Sequence, residues 1–156
     1  MGRHSARLGL VMLQCLSNHK GVFPIRCAVV TPEEAVYEGE DATGVFARSP
    51  EGEFGIMRGH IPFLAALVPG VVAVVSGDSR EEFFVPGGFL EASGPADDYH
   101  VIVLADGAEP AGEIDASQAR EKLDEARRRR DQDDDDDAAE TELRVAAARA
   151  DVASRS

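Results

Sequence analysis

The acidic run near the carboxyl end is the segment whose spacing comes closest to a metal site. With Asp131 taken as position 1 of a calcium-binding loop, Asp133 and Asp135 occupy positions 3 and 5, and Glu142 occupies position 12. Asp136 stands at position 6, where such loops need glycine for a sharp turn. Because a run of aspartates meets these spacings by chance, the pattern favours a solvated turn that also caps the following helix, and we expect no metal site.

The other reactive side chains form no enzyme signature. The chain has no Gly-x-Ser-x-Gly elbow and no phosphate-binding glycine loop ending in lysine, and its four histidines form no zinc-ligand set. Two cysteines, Cys15 and Cys27, are too few for a disulfide framework. We therefore predict a non-catalytic protein without catalytic residues, with ordinary thiols in a reducing compartment.

The charge balance limits the classes of partner. Among 156 residues there are 16 Lys plus Arg and 29 Asp plus Glu, for a net charge of −13. A nucleic-acid binder needs a basic face, so we exclude that class and expect protein or small-molecule partners. The 44% hydrophobic content is enough for a packed core. The longest apolar stretch, residues 61–77, is broken by Pro62 and by Pro69-Gly70, so we predict no membrane span.

The charges also divide the chain into three parts. Residues 1–22 carry three bases and no acid, residues 23–106 carry 4 bases and 14 acids, and the remainder carries 9 bases and 15 acids. An apolar run at residues 8–13 lacks an export cleavage site, so we reject export. We interpret residues 1–22 as a disordered extension or the product of a misassigned start codon, in preference to an organellar transit peptide. We assign residues 23–108 to a β-domain and residues 109–156 to a helical tail with an acidic turn.

Short runs with period-two or β-branched character fill the middle of the chain, and glycine and proline turn signals separate them. The pattern predicts an antiparallel β-sandwich or barrel, with a hairpin turn at residues 76–79 and a bulge at Gly87-Gly88. The predicted strands are Ile25 to Val30, Ala35 to Glu40, Thr43 to Ala47, Val71 to Ser76, Glu81 to Pro86, Phe89 to Ala92 and His100 to Ala105.

The period changes to that of a helix after Glu113. Small apolar residues recur at helical spacing before and after the acidic run, which predicts two helices joined by a turn. Asp115 with Gln118, and Asp137 with Glu140, have the spacing of capping boxes. The apolar stripes are Ala116, Ala119, Leu123 and Ala126 in the first helix, and Ala139, Leu143, Ala146 and Ala150 in the second.

These stripes are too poor to hold the two helices together alone. Each contains a single leucine, whose burial contributes about 1.5 to 3 kcal/mol, whereas ordering each residue costs about 1 to 2 kcal/mol. We therefore expect the helical hairpin to need the β-domain or another protein in order to stay folded. Such an element is mobile or regulatory.

Four motifs, read together with the helical tail, resemble a known family. They are GEFGIMRGHIPFL at residues 52–64, PGV at 69–71, PGGFLE at 86–91 and VIVLAD at 101–106. In this order they are similar to the epsilon subunit of F-type ATP synthase. The resemblance runs from about Ile25 to about Ala153 and leaves out only the start of the chain.

The resemblance implies a β-sandwich followed by a two-helix antiparallel hairpin, and a non-catalytic subunit of the rotary central stalk. Its partners would be the gamma subunit, the membrane ring of c subunits and the alpha/beta catalytic head. The subunit would be peripheral, on the cytoplasmic face of the bacterial plasma membrane, and would help to couple proton flow to ATP synthesis. Its hairpin would either lie on the sandwich or extend into the head and inhibit ATP hydrolysis.

The resemblance also implies contact residues. Glu53 corresponds to an acidic position facing the ring, and His60 to a position near gamma; each is equally well read as an ordinary strand or loop residue. Arg58 stands where the family usually has proline, which puts the geometry of this loop in doubt. The tail cations would meet acidic loops of the head; they are Arg127, Arg128, Arg129, Arg130, Arg144 and Arg149.

Some bacterial members bind ATP through an Ile/Leu-Asp-x-x-Arg-Ala motif at the start of the first tail helix. Here Ile114, Asp115 and Ala119 match it, but Gln118 replaces the arginine. The substitution removes a cation suited to phosphate, and a capping box explains Asp115 and Gln118 without a ligand. We therefore expect no cofactor and weak or absent ATP binding.

Two alternatives remain open at the level of the sequence. The chain could be an ATP-sensing variant of the same subunit, or a free-standing β-sandwich binding module with an unrelated helical tail.

Overall fold

Ten β-strands and two α-helices make up the part of the chain that the computed structural model describes, residues 23–59 and 61–155. A short 3₁₀ turn, Ala111–Glu113, joins the last strand to the first helix. The strands are β1 Ile25–Val30, β2 Ala35–Ala42, β3 Gly44–Ser49, β4 Gly52–Met57, β5 Phe63–Leu67, β6 Gly70–Ser76, β7 Ser79–Val85, β8 Gly88–Ser93, β9 His100–Ala105 and β10 Glu109–Pro110; the helices are α1 Ala116–Gln132 and α2 Asp137–Arg155.

The strands form two five-stranded sheets that pack face to face. Sheet A has the order β2-β1-β9-β8-β5, and sheet B has the order β10-β7-β6-β3-β4. All pairs are antiparallel except β1 with β9, which run parallel. A β-sandwich followed by two helices is therefore confirmed, and the hairpin turn at Gly77 is confirmed by the pairing of Ser76 with Ser79.

Alternation along the strands places one side chain of every two in the core. Ile25, Cys27 and Val29 of β1 point inward and are buried, as are Val101 and Val103 of the neighbouring β9. Burial raises the pKa of the Cys27 thiol to about 12. Cys27 is thus a free, buried thiol, as expected, and Cys15 lies outside the described residues.

The sequence patterns missed three strands: β4, β5 and β10. Strand β4 contains glycine and glutamate, which favour strands weakly, and it forms because β3 offers a partner for its full length. Gly55 is needed there, since a Cβ at this position would lie 2.7 Å from the Phe46 ring on the opposite strand. Strand β10 has two residues and extends sheet B into the segment that we assigned to the tail.

The predicted bulge at Gly87-Gly88 is wrong. The pairing of β8 with β9 runs without a register shift from Gly88 opposite Ala105 to Ser93 opposite His100. Gly88 serves a different purpose, because its φ is +138° and a Cβ there would lie 2.1 Å from the Leu104 carbonyl oxygen. The glycine therefore allows two backbones to approach closely.

The two helices form the expected antiparallel hairpin. Asp115 precedes α1 and its carboxylate accepts a hydrogen bond from the Gln118 backbone N–H at 3.0 Å, so the predicted cap is confirmed. The cap predicted at Asp137 is wrong, because Asp137 is already the first helical residue. Asp136 has that role, and its carboxylate accepts from the Ala138 N–H at 2.9 Å. Over the described residues, neither helix has the length and apolar character of a membrane span.

Candidate functional site

The outward side of sheet A carries a patch of large apolar side chains. Leu64 on β5, Phe89 on β8 and Leu104 on β9 are 68%, 54% and 53% exposed. Phe89 lies directly opposite Leu104 on one side and Ala66 on the other, so these three side chains adjoin one another. Leu64 lies on the same face, opposite the exposed Glu91 of β8. We call this surface the outer face of sheet A. Large apolar side chains grouped on one exposed face are typical of an interaction site.

The hairpin covers part of the outward side of sheet B. Val71 on β6 and Phe84 on β7 pack against the carboxyl-terminal half of α2, and Val152 and Ala153 are buried in this contact. Most of the participating side chains are small. The buried cluster is Phe84, Ala111, Ile114, Ala119, Val152 and Ala153, with Val71, Val145, Ala148 and Ala150 packed around it. We call this surface the hairpin contact.

An ion pair borders the hairpin contact. The Arg149 guanidinium on α2 donates two hydrogen bonds, from Nε and from Nη2, to the two carboxylate oxygens of Glu109 on β10, both at 2.9 Å. The hydrogen bonds and the charge of Glu109 raise the pKa of Arg149, and the negative charge of Asp115 acts in the same direction. The sequence patterns did not reveal this pair, because its members lie 40 residues apart.

Glu53 lies on the sheet B side of the molecule. It is an exposed residue of β4, directly opposite Arg48 on β3. A groove of about 410 Å³ separates the end of α2 from sheet B, and Glu53 lines it together with Asp151 and Arg155 of α2. Glu53 and the outer face of sheet A thus belong to different sheets. His60, the other candidate contact residue, lies outside the described residues.

The cations at the end of α1 are engaged mainly within the hairpin. Arg129 binds Glu142 of α2 at 2.6 Å, which joins the two helices. Arg127 lies 3.7 Å from Asp124, and Arg130 lies 3.5 Å from Asp131. These pairs are largely exposed and are worth little individually. Arg128 and Arg144 are exposed. The roles of these cations at a catalytic head stay predictions.

The three residues of the degenerate ATP motif have structural contacts in this conformation. Ile114 and Ala119 are buried in the hairpin contact, and Asp115 caps α1. A groove of about 670 Å³ between the helices is lined in part by Gln118, Lys122 and Arg149. Weak or absent ATP binding stays a prediction.

Among residues 23–59 and 61–155, no three His, Cys, Asp or Glu side chains are placed to hold a metal ion. The acidic run forms a turn instead, in which the Asp133 carboxylate accepts from the Asp135 N–H and Asp136 caps α2.

Comparison with known proteins gives one consistent answer. The family model for the ATP synthase delta/epsilon chain β-sandwich domain matches residues 24–111. The chain is 40% identical over 131 residues to the ATP synthase epsilon chain of Anaeromyxobacter sp. (strain K), covering 81% of this chain and 96% of the relative. The epsilon chain of Bordetella avium is also 40% identical, over 81% of this chain and 89% of its own length.

A solved structure agrees. A chain in the structure of the Euglena gracilis mitochondrial ATP synthase, comprising OSCP, F1 and the c-ring, aligns with a TM-score of 0.69 and 25% identity over 81% of this chain and 79% of that one. The sandwich, the two-helix tail and the relatives agree with the resemblance carried by the four sequence motifs. The chain therefore belongs to the ATP synthase epsilon-chain family.

Proposed function

We propose that the chain is a non-catalytic subunit of the central stalk of a proton-translocating ATP synthase, held there by the outer face of sheet A. The observation that carries this proposal is the exposed apolar patch of Leu64, Phe89 and Leu104. Large apolar side chains, aromatic ones above all, dominate the binding energy of protein interfaces. The partner on this face is the gamma subunit, which forms the axis of the stalk.

Membership of the family supports the remaining assignments. The subunit lies peripherally on the cytoplasmic face of a bacterial plasma membrane, next to the ring of c subunits, and helps to couple proton flow to ATP synthesis. Glu53 contacts the ring and His60 lies near gamma. Family membership supports this assignment over a free-standing binding module.

The hairpin acts as a regulator of ATP hydrolysis. In the folded position its last turns bury mostly alanine and valine, and a contact of small side chains gains little free energy on burial. A marginal contact suits an element that exchanges between two positions. In the extended position the hairpin enters the alpha/beta head, where Arg127, Arg128, Arg129, Arg130, Arg144 and Arg149 meet acidic loops and slow hydrolysis.

The folded hairpin requires no nucleotide. Gln118 supplies no phosphate-binding cation, and the carboxylate of Asp115 already accepts a hydrogen bond as a helix cap. Titration of the isolated chain with ATP in a calorimeter should give no binding at micromolar concentrations. Micromolar affinity would support the ATP-sensing alternative instead.

Co-purification tests the stalk assignment. A tagged full-length chain should bring down the gamma subunit from solubilised membranes, and a chain truncated before Ala111 should do so equally well, because the outer face of sheet A lies on the sandwich. Complexes with the truncated chain should hydrolyse ATP faster than those with the full chain. Failure to capture gamma contradicts the stalk role, and equal hydrolysis rates contradict the inhibitory role.

A further inference from the structure

The pair formed by Glu109 and Arg149 differs from the other ion pairs between described residues. It joins the hairpin to the sandwich, whereas the others lie within one of these two parts. The Glu109 and Arg149 side chains are 36% and 23% exposed, and each residue of every other pair is at least 40% exposed. Partial burial of a bidentate pair makes this link stronger and more directional than an exposed one.

The position of the pair matters as much as its strength. Glu109 lies on β10 just before the turn that leads into α1, and Arg149 lies in the second half of α2. The link therefore closes a loop that contains the whole connection between the sandwich and the hairpin. Separating the hairpin from sheet B requires this pair to break.

The surrounding contact increases the effect of the pair. Apart from Phe84 and Ile114, the apolar side chains that meet there are alanine and valine, which bury little area each. An apolar contact of this composition tolerates small displacements, whereas a guanidinium bound through two nitrogens to two carboxylate oxygens is directional. If one partner is removed, the other charge is left half-buried without compensation, which disfavours the folded position further.

We propose that Glu109 and Arg149 form a latch that holds the hairpin on sheet B without a nucleotide. Release of the latch frees the Arg149 guanidinium, so the same cation that holds the folded position becomes available to an acidic partner in the extended position. The role of the freed Arg149 in binding an acidic partner rests on the proposed function. Holding the hairpin on sheet B does not, because it is a property of the isolated chain.

Hydrogen exchange on the isolated full-length chain tests the latch. In E109Q and in R149Q, amides of α1 and α2 should exchange about tenfold faster or more, because the hairpin leaves the sandwich more often. Amides of β1 and β9 should exchange as in the wild type, which shows that the sandwich is folded.

The matched control is E142Q. It removes the pair between Arg129 and Glu142, which joins α1 to α2 and does not reach the sandwich. Exchange in the first half of α1 and the last turns of α2 should stay as in the wild type. The latch is contradicted if E109Q leaves helix exchange unchanged, or if E142Q accelerates it to the same extent.

ATP hydrolysis by the assembled enzyme separates the two proposals. E109Q should lower hydrolysis severalfold, because an unlatched hairpin extends more often, and truncation before Ala111 should remove this difference. Fast exchange in E109Q with unchanged hydrolysis supports the latch and contradicts the inhibitory role. If the helix amides of E109Q exchange no faster than those of the wild type, the latch is contradicted whatever the hydrolysis rate.

Discussion

The two outward sides of the sandwich differ in what covers them. The side formed by sheet B is covered in part by the chain's own hairpin, through Phe84, Ile114, a set of alanine and valine side chains and one ion pair. The side formed by sheet A presents Leu64, Phe89 and Leu104 to solvent, and none of the other described residues covers them. A contact that opens needs weak parts, whereas a lasting interface with a second protein gains from large apolar groups. This difference supports the proposal that sheet B serves regulation and sheet A serves assembly.

The largest effect should come from placing charges on the two faces in turn. F89E/L104E puts two carboxylates into the proposed interface with gamma, and should reduce capture of gamma about a hundredfold or more, since central apolar residues carry most of the binding energy. V71E places its charge beneath α2, where Val71 packs against the hairpin. It should leave capture of gamma intact and speed hydrogen exchange in α1 and α2.

Co-purification and hydrogen exchange on the same two variants check this reciprocity. Circular dichroism that matches the wild type ensures that both proteins are folded. If V71E loses gamma while F89E/L104E keeps it, the two faces have been assigned the wrong way round.

The second-largest effect comes from comparing a buried leucine of sheet A with an exposed one, which separates stability from assembly. Leu90 points into the core and is fully buried, whereas Leu64 on the adjacent strand is 68% exposed. L90A should lower the free energy of unfolding by about 2 to 5 kcal/mol, because it removes buried methyl groups and leaves a cavity. L64A should change it by less than about 0.5 kcal/mol.

Urea denaturation measures both values, and the binding assay with gamma should show the opposite ranking. A large loss of stability in L64A would mean that the outer face of sheet A is packed within the chain itself.

The smallest effect concerns the hairpin alone. Asp136 caps α2 and Asp137 is its first residue. D136A should destabilise the helix by about 1 kcal/mol, because it leaves the Ala138 N–H without its partner, and D137A should cost less. The rates of amide exchange in the first turns of α2 give the comparison directly. Equal acceleration in the two variants would argue against Asp136 as the cap.

The parts of the fold that the sequence predicted are those with strong local signals. Strands β1 and β9 have the predicted bounds, because β-branched residues fill them and turn residues flank them. Helix α1 begins after Asp115 for a similarly local reason. Strands β4 and β5 were not predicted, because they form by pairing with β3 and β8, and the sequence patterns do not show this pairing.

The candidate site was less predictable for the same physical reason. Leu104 belongs to a strand that is largely apolar on both sides, and Phe89 shares the outward side of β8 with Glu91, so alternation alone does not separate a buried side from a docking side. The run of apolar residues at 101–104 was nevertheless a usable signal that β9 is apolar on both sides. The pairing of Glu109 with Arg149 had no such signal, since it exists only once the hairpin is folded back.

Oxidative footprinting of side chains tests the central claim most directly, because it reports the exposure of both faces in one sample. In the isolated chain, Leu64, Phe89 and Leu104 should be labelled and Phe84 should be protected. On assembly with gamma, labelling of the first three should fall severalfold, and removal of the tail should expose Phe84 to labelling. Unchanged labelling of Phe89 and Leu104 after assembly would contradict the account.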